Sequence, residues 1–321
     1  MKLDTFYRKA VAAGIARDPR GAEAVRQLLD EERERSKTFD GDERESWQED
    51  RLFNPYADTR ILAGDPSAEV RKVIAGIDMD AAEVMLAHTL NRDRGAGIDL
   101  VLAHHPQGVA LAQLPEVMRV QADMLAAMGV TVSVAEQLLD KRMDEVGRRV
   151  LPGNHGRAVD AARLLGLPMA CVHTPADNCV NTFLEDLFAR EKPARLKDLL
   201  ALLKTVPEYR AAVRRMAGPR IVSGSETGRC GRVSVEMTGG TEGAKSIYES
   251  YAASGVSTVV SMHISEEALE NAKKAHLNVV LAGHISSDTL GLNLLFDEIE
   301  TDGPLAFVEM SGFVRTRDSE R

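Results

Sequence analysis

The sequence predicts an α/β protein whose sheets are largely parallel. Two patterns carry this. Short apolar runs without helical period alternate with longer stretches of helical period, as strand–helix–strand units with covered sheet faces require. Three of those apolar runs also end in histidine, at His104-His105, His173 and His284. The C-terminal edge of a parallel strand is where such sheets keep ligand sites.

Residues 1–37 read as two helices, with one apolar stripe at Phe6, Ala10, Val11 and Ile15 and another at Val25, Leu28 and Leu29. The charged run at 31–35 then reads as a solvated helix face. Residues 38–58 read as a linker, so that 1–57 forms a helical extension, an appendage suited to pairing chains as a hairpin. Strands are expected at 60–65 and 72–78, followed by a helix at 81–90. The run from Ile98 to Ala103 is the first strand to end in histidine, and Pro106 stops it by removing a ladder donor. Helices at 117–128 and 134–150, a short strand at 130–132 and a helix at 158–165 come next. The strand 169–173, a helix at 179–188 and two helices within 192–217 complete a first lobe (58–190) and a helical connection (191–218).

The second lobe (219–321) begins with strands at 219–222 and 232–237. The Gly-rich stretch 238–243 is expected to open a helix running through 248–253. It lacks the Lys-Ser/Thr of a phosphate loop, so it reads as a tight turn. A strand at 256–260, a helix at 265–275, the strand 278–284, a helix at 286–299 and a last strand at 304–308 follow. Ser265 caps its helix, with Glu266 and Glu267 in the first turn where the dipole favours them. No short-period repeat is visible.

Composition narrows the function. Aromatics are 4% of the chain and the net charge is −9, which argues against base-stacking platforms and a broad phosphate-binding face. Nucleic acid is therefore not the expected partner. Cys171, Cys179 and Cys230 form no CxxC pair, so reduced thiols in a cytoplasmic protein are expected. No apolar run is long enough to span a membrane, and the start of the chain has no signal-peptide pattern.

The strand-end histidines point to metal. Neighbouring strand side chains face opposite ways, so His104 and His105 would each hold one of two nearby ions more readily than chelate one. Asp177 follows His173 by four residues, and Asp288 follows His284 by four. A helix starting near Ile285 brings His284 and Asp288 to one side of its first turn. Mixed imidazole and carboxylate ligation suits zinc, iron, manganese or nickel.

Three motifs in this order resemble the Nif-three family, also called GTP cyclohydrolase type 2-like. They are Ala103-His104-His105-Pro106, His173-Thr174-Pro175-Ala176-Asp177 and Gly283-His284-Ile285-Ser286-Ser287-Asp288. Val180-Asn181 and the strand and Gly-rich turn at 232–243 add to the likeness, which covers 58–315. The resemblance implies two α/β lobes with mixed, largely parallel sheets and a dinuclear metal site between them. Its ligands would be His104, His105, Asp177, His284 and Asp288, holding two divalent ions, with His173 as their near neighbour. It also implies a homo-oligomer, from a dimer up to a hexamer built of dimers. Three departures stand out. Asp288 replaces a glutamate expected to bridge the ions, and is one methylene shorter. The connection from His105 to His173 is longer than usual, as if 134–167 carried an added helical element. His263 falls where the family often has an acidic residue; it ends another expected strand, and His155 sits in a loop.

The function expected from these residues is metal-dependent hydrolysis, with His173 or His263 moving a proton. A phosphoester, a cyclic amidine in a nucleotide, or an amide is compatible as the small-molecule substrate. The competing reading is a metal-binding regulator, metallochaperone or interaction protein without turnover.

Overall fold

The computed structural model describes residues 1–321, except for the side chains of Asp302 and Glu320. Nine strands form two mixed sheets. The first comprises β1 (Arg60–Ala63), β2 (Lys72–Gly76), β3 (Leu100–Ala103), β4 (Met169–Cys171) and β9 (Ala306–Glu309). The second comprises β5 (Arg220–Ser223), β6 (Arg232–Glu236), β7 (Val256–Ser261) and β8 (Asn278–Leu281). Their orders are β1-β4-β3-β2-β9 and β5-β8-β7-β6. In each sheet the first strand runs antiparallel to its neighbour and the remaining pairs are parallel.

The central strands are apolar throughout because both faces are covered. Leu100 and Leu102 point into one core with Val73, Ala75, Ala170 and Val172. Val101 and Ala103 point into another, with Ile74, Met169 and Cys171. This is the two-residue period of a strand, with each fully buried Val or Leu contributing about 1.5–3 kcal/mol. In the second sheet Val260 and Val280 face one core and Val259 and Val279 the other.

Two long helices carry the motifs into the middle of the molecule. One is Thr174–Glu191, started by Pro175 in its first turn, where a missing N–H costs nothing. The other is His284–Ile299. They pack so closely that a Cβ on Gly291 would lie 2.5 Å from the Ala176 carbonyl oxygen. Each directly follows the strand beside the antiparallel edge of its own sheet. The two lobes are thus one plan used twice, a repeat too long and too diverged to read from residue periods.

Several expectations change. The helix Leu3–Ala16 is no appendage: Leu3, Phe6 and Ala10 are wholly buried in the core of the first sheet. Its apolar stripe needed a partner, and the helices Thr174–Glu191 and His284–Ile299 supply one. The helix Ala22–Ser36 does stay peripheral, burying only Val25. The last strand leaves the segment 219–321 and pairs with β2 of the first sheet. Residues 130–132 form no strand, and a helix begins at Val132. The Gly-rich stretch opens no helix until Tyr248, because Gly239 and Gly240 adopt φ of 98° and 82°, outside the right-handed helical region. The added helical element lies at 108–150, earlier than expected, while Arg157–Leu165 is an ordinary cover of the first sheet. Among the described residues no helix is long and apolar enough to cross a membrane.

Candidate metal centre

Parallel pairing carries β3 beyond its last residue and delivers two imidazoles to the sheet edge. The His104 N–H donates to Gly76 at 2.9 Å and the His105 N–H to Ile77 at 3.0 Å. His104 Nδ1 lies 3.1 Å from the Val172 carbonyl oxygen, which fixes Nδ1 as a donor and turns Nε2 toward the centre. That Nε2 faces Asp177 Oδ1 at 3.4 Å and Asp288 Oδ1 at 3.6 Å. His105 Nδ1 sits 2.7 Å from Asp78 Oδ1, and its Nε2 faces Asp288 Oδ2 at 3.5 Å and His284 Nε2 at 3.4 Å. His284 Nε2 is 3.5 Å from the same Asp288 oxygen.

Five of the sequence-selected residues thus converge. Three overlapping groups have ligand atoms within 4.8 Å of one another: His104, Asp177 and Asp288; His105, His284 and Asp288; and His104, His105 and His173. Asp288 belongs to two of them, presenting Oδ1 to His104 and Oδ2 to His105 and His284. The helix starts at His284, so Asp288 lies one turn in, on the side of His284. The third group shows that His104 and His105 can also approach one point together. Both lie past the end of β3, where strict alternation no longer holds, and their ring centroids are 5.4 Å apart.

His173 is held from behind. Its Nδ1 is 2.8 Å from Asp58 Oδ2, which also accepts from Thr174 Oγ1 at 2.6 Å, while its Nε2 lies 3.7 Å from Asp177 Oδ2. His263 joins none of the three groups. It sits exposed on the rim, its ring centroid 4.9 Å from that of His284. His155 stands apart, its carbonyl accepting from Gly108. Asp58 and Asp78 were not singled out by sequence reasoning, because each reaches its histidine from a loop distant along the chain; Asp78 was read as the end of the strand expected at 72–78, which stops at Gly76.

The electrostatics follow from burial. Desolvation alone would lower the His104 pKa, but the Asp288 and Asp177 carboxylates outweigh it and push it up to about 10. Asp288 would be raised by burial, yet His104, His105 and His284 hold it far below the usual carboxylate range. His173 is raised, with Asp177 and Asp58 overcoming burial. Asp58 is lowered, its bonds from His173 and Thr174 overcoming the same penalty. His284 is lowered by burial, and the neighbouring histidines His105 and His263 add to this against the pull of Asp288. Within this cluster four buried side-chain atoms have no hydrogen-bond partner: His104 Nε2, Asp177 Oδ1 and both oxygens of Asp288. A cavity of about 400 Å³ opens beside them.

The fold is similar to that of a NIF3 superfamily protein from Sphaerobacter thermophilus, at 27% identity and a TM-score of 0.68 over 80% of this chain and 91% of that one. Weaker likenesses extend to reduced HcgD from Methanocaldococcus jannaschii (15% identity, TM-score 0.46, 78% and 87% covered). They extend also to a Bacillus cereus protein related to NIF3 (13% identity, TM-score 0.39, 81% and 91% covered). No protein-family model matches the chain, and no curated protein does.

Proposed function

For a chain that is NIF3-like in fold and in the order of its motifs, we propose a metal-dependent hydrolase with two divalent ions held by His104, His105, Asp177, His284 and Asp288. The carrying observation is the set of four buried, partnerless atoms that belong to the overlapping ligand clusters. Each would cost about 1–3 kcal/mol or more if left unsatisfied, and cations would relieve all four together. Asp288 would serve both halves of the set, because it presents Oδ1 toward His104 and Oδ2 toward His105 and His284. The donors are imidazole and carboxylate, a set for zinc, iron, manganese or nickel. The three cysteines are buried elsewhere and join no cluster.

Bound ions would supply Lewis acidity, lowering the pKa of water and drawing charge from an electrophilic oxygen. The chain's own residues do the rest. Val172 and Asp78 lock the tautomers of His104 and His105, so that each turns Nε2 inward. Asp58 orients His173 beside Asp177. His263, at the mouth and against His284, is placed to carry a proton between the cavity and solvent.

Elemental analysis tests the ligand set. The purified chain should hold two divalent ions, and His104→Ala combined with His105→Ala should remove them along with any hydrolysis of phosphoesters, nucleotides or amides. Undiminished metal content in that variant would sink the assignment. Metal transfer to an acceptor without turnover on any of these substrates would favour the non-catalytic reading. Assembly into a homo-oligomer belongs to the same proposal, and light scattering on the full chain tests it.

A further inference from the structure

The cavity beside the centre is walled by two parts of the chain that take no part in metal binding. One wall is the helical insertion, which contributes Leu111, Leu114 and Met124. The other is the second lobe, which contributes Glu236, Tyr248 and Tyr251. The walls are tied together. Gln121 Nε2 donates to the carbonyls of Gly239 and Thr241 at 2.7 Å each, and Arg142 Nε donates to the Glu242 carbonyl at 3.0 Å. Side chains at Gly239 and Gly243 would collide with Gln121, so the glycines permit this closure.

The lining has a one-sided chemistry. Among the described residues no lysine or arginine lines the cavity, whereas Asp177, Glu236, Glu242 and Asp288 all do. Arg215 and Arg220 line a separate cavity beyond His263 and His284. A polyphosphate in the first cavity would meet carboxyl groups and find positive charge only at the metal end. Glu236 also carries an unmet demand, since its Oε1 is out of contact with solvent and has no hydrogen-bond partner. The terminal torsion of a glutamate is soft, so a small turn presents either oxygen to the cavity. Burial pushes the Glu236 carboxyl up to about 7, with Tyr251 opposing and the Glu242 charge adding. It can therefore both donate and accept near neutrality. A volume of about 400 Å³ that sets Leu111, Leu114 and Met124 opposite the Glu236 carboxyl suits a ring-sized ligand.

We propose that this cavity takes a small planar heterocycle bearing amide or amidine N–H groups and no phosphate, and that Glu236 recognises its N–H edge. The proposal deepens the hydrolase reading, and its turnover rests on that reading; its binding does not.

Cytosine and cytidine 5′-triphosphate are the probes, titrated calorimetrically into the metal-free full chain. Cytosine should bind at least about tenfold more tightly than the triphosphate. Glu236→Leu should weaken cytosine about tenfold, the scale of one lost hydrogen bond. Glu236→Gln keeps a donor and an acceptor and should restore it. Met124→Trp, which fills the cavity from the insertion side, should block cytosine; manganese binding, read by electron paramagnetic resonance, should persist in all three variants and report an intact fold. Triphosphate binding as tight as cytosine, or wild-type cytosine affinity in Glu236→Leu, overturns the proposal. Triphosphate binding that Arg215→Ala with Arg220→Ala abolishes does so as well, moving the ligand to the other cavity. Cytosine binding that follows these expectations, with no hydrolysis of any cyclic amide or amidine, overturns only the hydrolase reading.

Discussion

Manganese binding to the metal-free protein should expel about one proton per chain at pH 7, and that proton comes from His104. The ring is wholly buried, and its Nε2 lies 3.4 Å and 3.6 Å from two carboxylates that push its pKa up to about 10. At pH 7 the protonated form then dominates by about a thousandfold. A metal ion needs the Nε2 lone pair, because Nδ1 is committed to the Val172 carbonyl. Stripping the proton costs about 4 kcal/mol at pH 7, three units at roughly 1.4 kcal/mol each. Apparent affinity should therefore climb about tenfold per pH unit between pH 6.5 and 8. Titration calorimetry in two buffers of different ionisation enthalpy reads both quantities. Asp288→Asn, which removes the leading cause of the raised pKa, should reduce the proton count. A flat affinity with no proton exchanged would refute the reasoning.

The same shifts set the pH dependence of metal-free stability. His104 and His173 have folded pKa values above the ordinary histidine value of 6.5, so their contributions are full below that pH and fade as pH rises toward the folded values. With chelator present, the urea midpoint should be lower at pH 9.5 than at pH 6.5; an equal or higher midpoint counts against the protonated cluster. Gly291→Ala would press a methyl group to 2.5 Å from the Ala176 carbonyl, costing about 1–3 kcal/mol by overpacking. It should also part Asp177 from Asp288 and reduce bound metal, whereas wild-type urea stability and metal content would show that the two helices are not rigidly apposed. Asp58→Ala leaves the buried His173 Nδ1 and Thr174 Oγ1 without their shared acceptor, and should cost about 1–3 kcal/mol in urea unfolding. A loss under about 0.5 kcal/mol would mean that Asp58 does not hold His173.

Much of the cluster was legible because its candidate ligands sit at punctuation marks. A strand that runs apolar into His104, His105 and Pro106 announces its own end, and the same holds at His173 and His284. The carboxylates lay four residues further on, one helical turn, which is local geometry. What escaped was non-local. Asp58 is 115 residues from the His173 it holds, and no spacing rule connects them. The pairing of β9 with β2, 234 residues apart between Lys72 and Ala306, is equally invisible to periodicity. The helix Leu3–Ala16 showed its apolar stripe plainly, but the identity of the surface that covers it did not follow from the stripe.

The amino-acid order by itself determines that strands and helices alternate, where the strands stop and which imidazoles stand at their ends, because these depend on backbone sterics and on residue periods within a few positions. Tertiary structure alone decides that Asp288 faces both halves of the centre, that Val172 and Asp78 hold the rings of His104 and His105, and that Glu236 closes the cavity with an insertion from the other lobe. Those are meetings between segments about thirty to two hundred residues apart, set by how two sheets and two helices fill space together.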